Sequence, residues 1–275
     1  MKTRSRKPAA RAAKRLPVQK TYKLFIGGTF PRSESGRTYE AERANVARAS
    51  RKDLRDAVRI ARQAGAGWSK ATAYNRGQVL YRIAEMMELR RASLAALSSS
   101  DEVDRAIDRM VWYAGWADKI AQVVGSSNPV AGPYFNFTVP EPTGVIGILA
   151  PEPPLLGLVS RLAPAIVGGN TAVVIASEAH PLVAVELAEC LATADVPPGV
   201  VNILTGLRRE LAPQLASHMD VAGLDLCGAD GDVAELERLG AENVKRFARG
   251  RSDSQSPYDI AAFLELKTVW HPIGM

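Results

Sequence analysis

Three short apolar runs, at 144–150, 171–175 and 200–204, constrain this chain more than any other feature. Each is bounded by proline, glycine or a polar turn, which marks a fully buried strand. Between the first two, Leu155 to Val167 sets Leu155, Leu158, Val159, Leu162 and Ile166 on one helical face, and Gly168-Gly169-Asn170 ends that helix. Between the second and third, Pro181 to Ala194 repeats the pattern with Leu182, Val185, Leu187, Ala188 and Leu191 inside, and Pro197-Pro198-Gly199 breaks it. Parallel strands need helical crossovers, so this alternation predicts an α/β fold, a Rossmann-like doubly wound parallel sheet with helices on both faces.

The remaining chain reads in order around that core. Tyr22 to Phe30 is expected to form a hairpin about Gly27-Gly28. Ser50 caps a helix over 51–65 with Leu54, Ala57, Val58 and Ala61 inward. Helices are expected over 74–91 and, as one unbroken element, over 101–124. The inward residues of the longer one are Val103, Ile107, Met110, Val111, Ala114 and Ile120, with Trp112, Tyr113 and Trp116 as core packing. Residues 126–133 read as a turn-rich linker and 134–139 as an extended strand. A fourth sheet strand at 220–226, a helix at 232–246, a polar linker at 249–256 and an extended ending at 260–271 complete the chain.

Four stretches carry a family resemblance: Thr143-Gly-Val-Ile-Gly147, Ala163 to Thr171, Ser177-Glu178, and Pro197 to Gly206. In this order and spacing they resemble the coenzyme-binding domain of the aldehyde dehydrogenase superfamily. The resemblance implies domain limits: a disordered basic tail at 1–20, a coenzyme-binding-like domain at 21–128 and 143–250, and an oligomerisation arm at 129–142 and 257–275. It also implies that the arm is antiparallel, built from residues near 22–30, 133–142 and 260–271. In the family such an arm joins subunits, so Tyr134, Phe135, Phe137, Leu264, Leu266 and Trp270 are the expected contacts with a full-length aldehyde dehydrogenase subunit.

The same resemblance implies that the chemistry is degraded and the catalytic domain missing. The family places that domain, with its nucleophilic cysteine and its glutamate, between the fourth sheet region and the final strand. Here residues 229–256 fill the interval, and no cysteine follows Cys227. Thiohemiacetal chemistry needs such a thiolate, so no catalytic residue is expected, and Cys227 reads as structural. Pro153 stands where the family has an oxyanion-binding asparagine, and Ile175 where it has a ribose-binding lysine. Asp230 and Asp232 place anions at a helix start where a pyrophosphate wants bare N–H groups. The cofactor positions left are vestigial: Glu178, Gly206 and Gly228, with NAD or NADP bound weakly at best. The implied function is a non-catalytic subunit that stabilises or regulates a full-length NAD(P)-dependent enzyme. A residual dinucleotide-binding oxidoreductase and a basic-tailed adaptor for nucleic acid are the alternatives.

Composition bounds these readings. Of 275 residues, 47% are hydrophobic, enough for a substantial core. The net charge is +6, but residues 1–16 hold seven Lys or Arg and no acid, so residues 17–275 carry a net −1. The basicity is a tail, read as a solvated arm, with an acidic partner or nucleic acid as alternatives. No run approaches a membrane span, the start lacks the apolar core of a secretory signal, and two cysteines are too few for a disulfide framework. The cytoplasm is the expected compartment. His180, His218 and His271 are too scattered to bind a metal together.

Overall fold

The computed structural model describes residues 16, 18–231 and 233–274. The basic tail expected at 1–20 therefore lies almost wholly outside the described residues, as does Asp232. Strands β1 (Thr21–Tyr22), β2 (Thr38–Ala41) and β3 (Ala44–Ala47) form a small sheet in the order β1-β3-β2. Gly27 and Gly28, at φ +62° and +77°, turn the expected hairpin so that Ile26 and Thr29 exchange backbone bonds. This hairpin does not belong to the arm. Phe25 is buried and exchanges both backbone hydrogen bonds with Ile203, at 2.9 and 2.7 Å, which ties it to the body.

Helix α1 (Arg51–Lys70) begins in a capping box: Asp53 N donates to Ser50 Oγ at 3.2 Å and Ser50 N to Asp53 Oδ2 at 2.8 Å. It buries the four expected residues and runs past Gly65 to bury Trp68, whose Nε1 donates to Ile166 O at 2.9 Å. Next come α2 (Ala73–Leu89), α3 (Arg91–Leu97), α4 (Ser100–Ala114) and α5 (Ile120–Val124). The single helix expected over 101–124 is thus two helices, interrupted at Gly115, a poor helix former, where the chain turns Ala117 into the core. The buried face of α4 is Val103, Ala106, Arg109, Met110 and Tyr113, while Val111 faces outward.

Then follow β4 (Ser126–Asn128), β5 (Tyr134–Pro142), β6 (Val145–Leu149), α6 (Leu156–Val167), β7 (Thr171–Ile175), α7 (Pro181–Thr193) and β8 (Val201–Leu204). The chain ends with α8 (Arg208–Ser217), β9 (Gly223–Asp225), α9 (Val233–Ala241), β10 (Arg246–Ala248), α10 (Pro257–Ala261) and β11 (Leu264–Pro272). The main sheet has five parallel strands in the order β10-β9-β6-β7-β8. Period-two alternation divides its core. Ile146, Ile148, Ala172 and Val174 face α2, α4, α6 and α7, whereas Val145, Leu149, Val173 and Ile175 face α1, α8 and α9. The strand β10 replaces the end of the helix expected over 232–246. Val244, at φ +56° and 90% exposed, reverses the chain so that Phe247 packs back against Gly240.

A second, antiparallel sheet in the order β11-β5-β4 projects as the arm, with Thr268 paired to Thr138 at its middle. Strand β4 lies where the sequence reads as a linker, because Asn128 Nδ2 donates to Asn136 Oδ1 at 2.6 Å and to Thr138 Oγ1 at 3.1 Å. The arm therefore begins at 126 and not at 129. Tyr134, Phe135, Leu266 and Trp270 are exposed on it, and Phe137 is half-buried. Leu264 is not a surface contact. It is 2% exposed and packs beneath Gly168 beside buried Ile260 and Phe263, rooting β11 in the body.

Candidate functional site

Connections run from β6 to β7 and β8 on one side and to β9 on the other, so the topological switch point lies between β6 and β9. Open α/β sheets bind ligands in the crevice at the carboxyl ends of such strands. A cleft of about 1220 Å3 opens there, lined by Pro151 and Glu152 after β6, Ser177 and Glu178 after β7, and Cys227, Gly228 and Asp230 after β9. Tyr39, Arg105, Arg208 and the 250–253 loop complete it.

Arg208, the first residue of α8, crosses this crevice. Its Nη2 donates to Ala150 O at the end of β6, and its Nη1 donates to Gly228 O beyond β9 at 2.6 Å. Asp230 Oδ2 pairs with Nη1 at 2.7 Å. The two strand ends already touch: Gly228 N donates to Leu149 O at 3.1 Å, and a Cβ on Gly228 would stand 2.5 Å from Ala150. Only glycine allows this approach.

Helix N-termini attract anions because their first N–H groups lack partners. At α6, α7 and α8 some of these groups have carboxylate partners. Glu102 Oε1 accepts from Leu155 N at 2.7 Å and Leu156 N at 2.9 Å at the start of α6. Glu42 Oε2 accepts from Leu182 N at 3.1 Å in α7, and Glu178 Oε2 from Arg208 N at 3.0 Å in α8. The cleft lining also carries five carboxylates, Glu40, Glu152, Glu178, Asp230 and Asp253, against three guanidiniums, Arg105, Arg208 and Arg251. That surplus of negative charge opposes a pyrophosphate. The charge of the crevice is therefore unfavourable to a dinucleotide's pyrophosphate as these side chains stand.

Of the residues singled out in the sequence, Glu178 and Gly228 share the cleft, and Glu178 spends one carboxylate oxygen on α8. Gly206 lies behind it: at φ +151°, its Cβ position is 3.1 Å from Ala49 N, a packing constraint. Asp230 serves as the counter-ion of Arg208. Tyr39, Glu102 and Arg208 were not singled out. No signal pointed to Arg208, because α8, with Pro213 and a mostly polar face, has no helical period from which its start could be read. Burial, then the Glu178 carboxylate, pushes the Tyr39 phenol well above its ordinary range. Tyr39 Oη and Arg208 Nε are both buried and without partners among the described residues.

Cys227 is no thiolate. Burial, reinforced by Asp225, pushes its thiol up to about 11, and burial takes Cys190 to about 12. Nucleophilic cysteines need the opposite shift. Among the described residues, no cluster of three or more His, Cys, Asp or Glu could hold a metal ion, and no helix is long and apolar enough to cross a membrane.

Residues 36–249 match the model of the aldehyde dehydrogenase family. Aldehyde dehydrogenase, cytosolic 1 from Elephantulus edwardii is 34% identical over 255 residues, which cover 84% of this chain and 50% of that protein. Retinal dehydrogenase 2 from Gallus gallus is 36% identical over 248 residues, covering 82% and 47% respectively. Among solved structures, the NAD+ complex of an aldehyde dehydrogenase from Bacillus cereus aligns with a TM-score of 0.76 at 27% identity, over 83% of this chain and 50% of that one. HpcC from Thermus thermophilus gives a TM-score of 0.76 at 31% identity, over 83% and 47%. The chain spans about half the length of the relatives it matches.

Proposed function

The chain belongs to the aldehyde dehydrogenase family, and from that premise we propose that it is a non-catalytic subunit of a full-length NAD(P)-dependent aldehyde dehydrogenase, which it stabilises or regulates. The observation that carries this reading is the arm. Strand β11 lies at an outer edge of its sheet, and Leu266, Val269 and Trp270 on it are 54%, 41% and 59% exposed beside exposed Tyr134 and Phe135. Aromatic side chains on an open strand edge are what a partner recognises through main-chain bonds and pocket anchors. The partner is a full-length aldehyde dehydrogenase subunit, met through Tyr134, Phe135, Phe137, Leu266 and Trp270.

Loss of catalysis is the second half of the proposal. It is supported by the neutral thiol of Cys227, by Pro153 at the cleft and by the lack of a cysteine within residues 229–256. NAD or NADP binds at best with a Kd near 1 mM, about 4 kcal/mol. The compartment is the cytosol, which the name of one relative gives for that protein. A second reading, a residual dinucleotide-binding oxidoreductase, is favoured by the open cleft and the Glu178 carboxylate in it.

Co-expression with a full-length aldehyde dehydrogenase, followed by affinity purification on this chain, tests the first reading. A stable hetero-oligomer is expected, and the purified chain alone should give no aldehyde-dependent NAD(P)H. Turnover by the isolated chain that disappears in Cys227→Ala would establish the second reading instead.

A further inference from the structure

Surplus carboxylates and missing side chains would each weaken dinucleotide binding in a general way. The geometry points to a more specific cause: Arg208 is an internal bolt that spans the floor of the switch-point crevice and fills the place a ligand would take, and we infer that ligand exclusion is built into the folded chain. The inference rests on the reading of weak binding and deepens it.

Three observations carry it. The guanidinium bonds to both lips of the crevice, Ala150 O on the β6 side and Gly228 O on the β9 side. Its planar fork suits two diverging acceptors, which a point charge such as lysine would not match. Its charge is already neutralised by Asp230, so it offers little to an incoming phosphate. The side chain is also withdrawn, 12% exposed, although it belongs to a residue type that ordinarily stays in solvent. A dinucleotide that reached the ends of β6 and β9 would have to displace this guanidinium from both carbonyls. It would then find the first N–H groups of α6 and α8 already held by Glu102 and Glu178.

Removal of the bolt distinguishes this account from a general electrostatic one. Calorimetry with NAD and with ADP-ribose is made on the full chain and on Arg208→Ala, Arg208→Met and Asp230→Ala, with circular dichroism to confirm folding. The wild-type chain should show no binding tighter than about millimolar. Arg208→Ala and Arg208→Met should bind ADP-ribose at least tenfold more tightly, while Asp230→Ala, which removes one lining carboxylate but leaves both carbonyl bonds in place, should tighten binding by clearly less.

Folded Arg208 variants that bind no better overturn the bolt and leave weak binding itself intact. Equal tightening in Asp230→Ala means that charge excludes the ligand, and also overturns it. Micromolar binding by the wild type overturns both the bolt and the reading beneath it. A measurement on the unaltered chain keeps the test independent of variant folding. Under limiting phenylglyoxal, mass spectrometry should find Arg208 modified far more slowly than Arg251, whose side chain is 83% exposed. Equal rates show that the Arg208 guanidinium is free, and overturn the bolt.

Discussion

Lys245 is the residue whose titration the fold disturbs most usefully. It is 6% exposed, and its Nζ donates to His218 O at 2.8 Å and to Asn243 Oδ1. Burial pushes the amine down to about 8 from an ordinary 10.5. Between those values the unfolded chain binds a proton that the folded chain does not, so unfolding becomes less favourable as pH rises. Below pH 8 both states are protonated and the burial cost is fully felt. Urea titrations from pH 8 to 10 should therefore show the wild type gaining stability relative to Lys245→Met as pH rises, a difference in which the opposing contributions of the two thiols cancel. Cys227 moves in the opposite direction. With its thiol near 11, alkylation at pH 7 should be slow and should accelerate toward pH 10, because the thiolate is the reacting species. A fast, pH-independent reaction at neutral pH would mean that the cysteine is activated after all.

At the scale of elements, one buried side chain joins three of them. Arg161 of α6, 1% exposed, donates from Nε to Asp225 Oδ2 of β9 at 2.6 Å and from Nη1 to Asp259 Oδ1 of α10 at 2.9 Å. Tyr113 Oη and Ser254 Oγ add bonds to Asp259 at 3.2 and 2.6 Å. Gly250 must be glycine, since a Cβ there would lie 2.3 Å from the Arg161 guanidinium. This cluster fixes the short return between β10 and β11, and so the root of the arm. Arg161→Met leaves two buried carboxylates facing each other without their cation, and should cost about 3–5 kcal/mol in urea unfolding. The sequence could not reveal this. Strands β6, β7 and β8 are legible because each is a short, mostly apolar run buried on both faces, with Asn202 the polar exception inside β8. By contrast, β10 is three residues, Arg246-Phe247-Ala248, and α8 carries Pro213 and a mostly polar face, so neither shows a periodic signal. Arg161 and Asp225 lie 64 positions apart, and only the folded sheet brings them together. The cleft was half legible. Glu178 and Gly228 follow strands that can be read, whereas Glu102 reaches α6 from a distant helix.

For the molecule as a whole, the body and the arm are opposites in surface character. Residues 17–275 carry a net charge of −1, and the main sheet is covered by helices on both faces. The arm has no such cover. Phe135, Val139 and Val269 lie on one face and Tyr134, Leu266 and Trp270 on the other, as the β5–β11 register requires. Tyr134 and Trp270 meet edge to face with centroids 5.9 Å apart, which holds the indole out as a fixed anchor at small entropic cost. The root tells where the arm can be cut. Ile260, Phe263 and Leu264 are core residues, so deletion from 260 would damage the body, whereas termination after Glu265 removes only exposed strand. The truncated chain should keep the circular dichroism and the melting behaviour of the sheet, and should no longer co-purify with a full-length aldehyde dehydrogenase. Trp270→Ala, a smaller change, should weaken the complex by about 2 kcal/mol or more, close to thirtyfold in Kd. Full-stoichiometry recovery of the partner on the truncated chain would place the joint elsewhere and remove the main support for a subunit role.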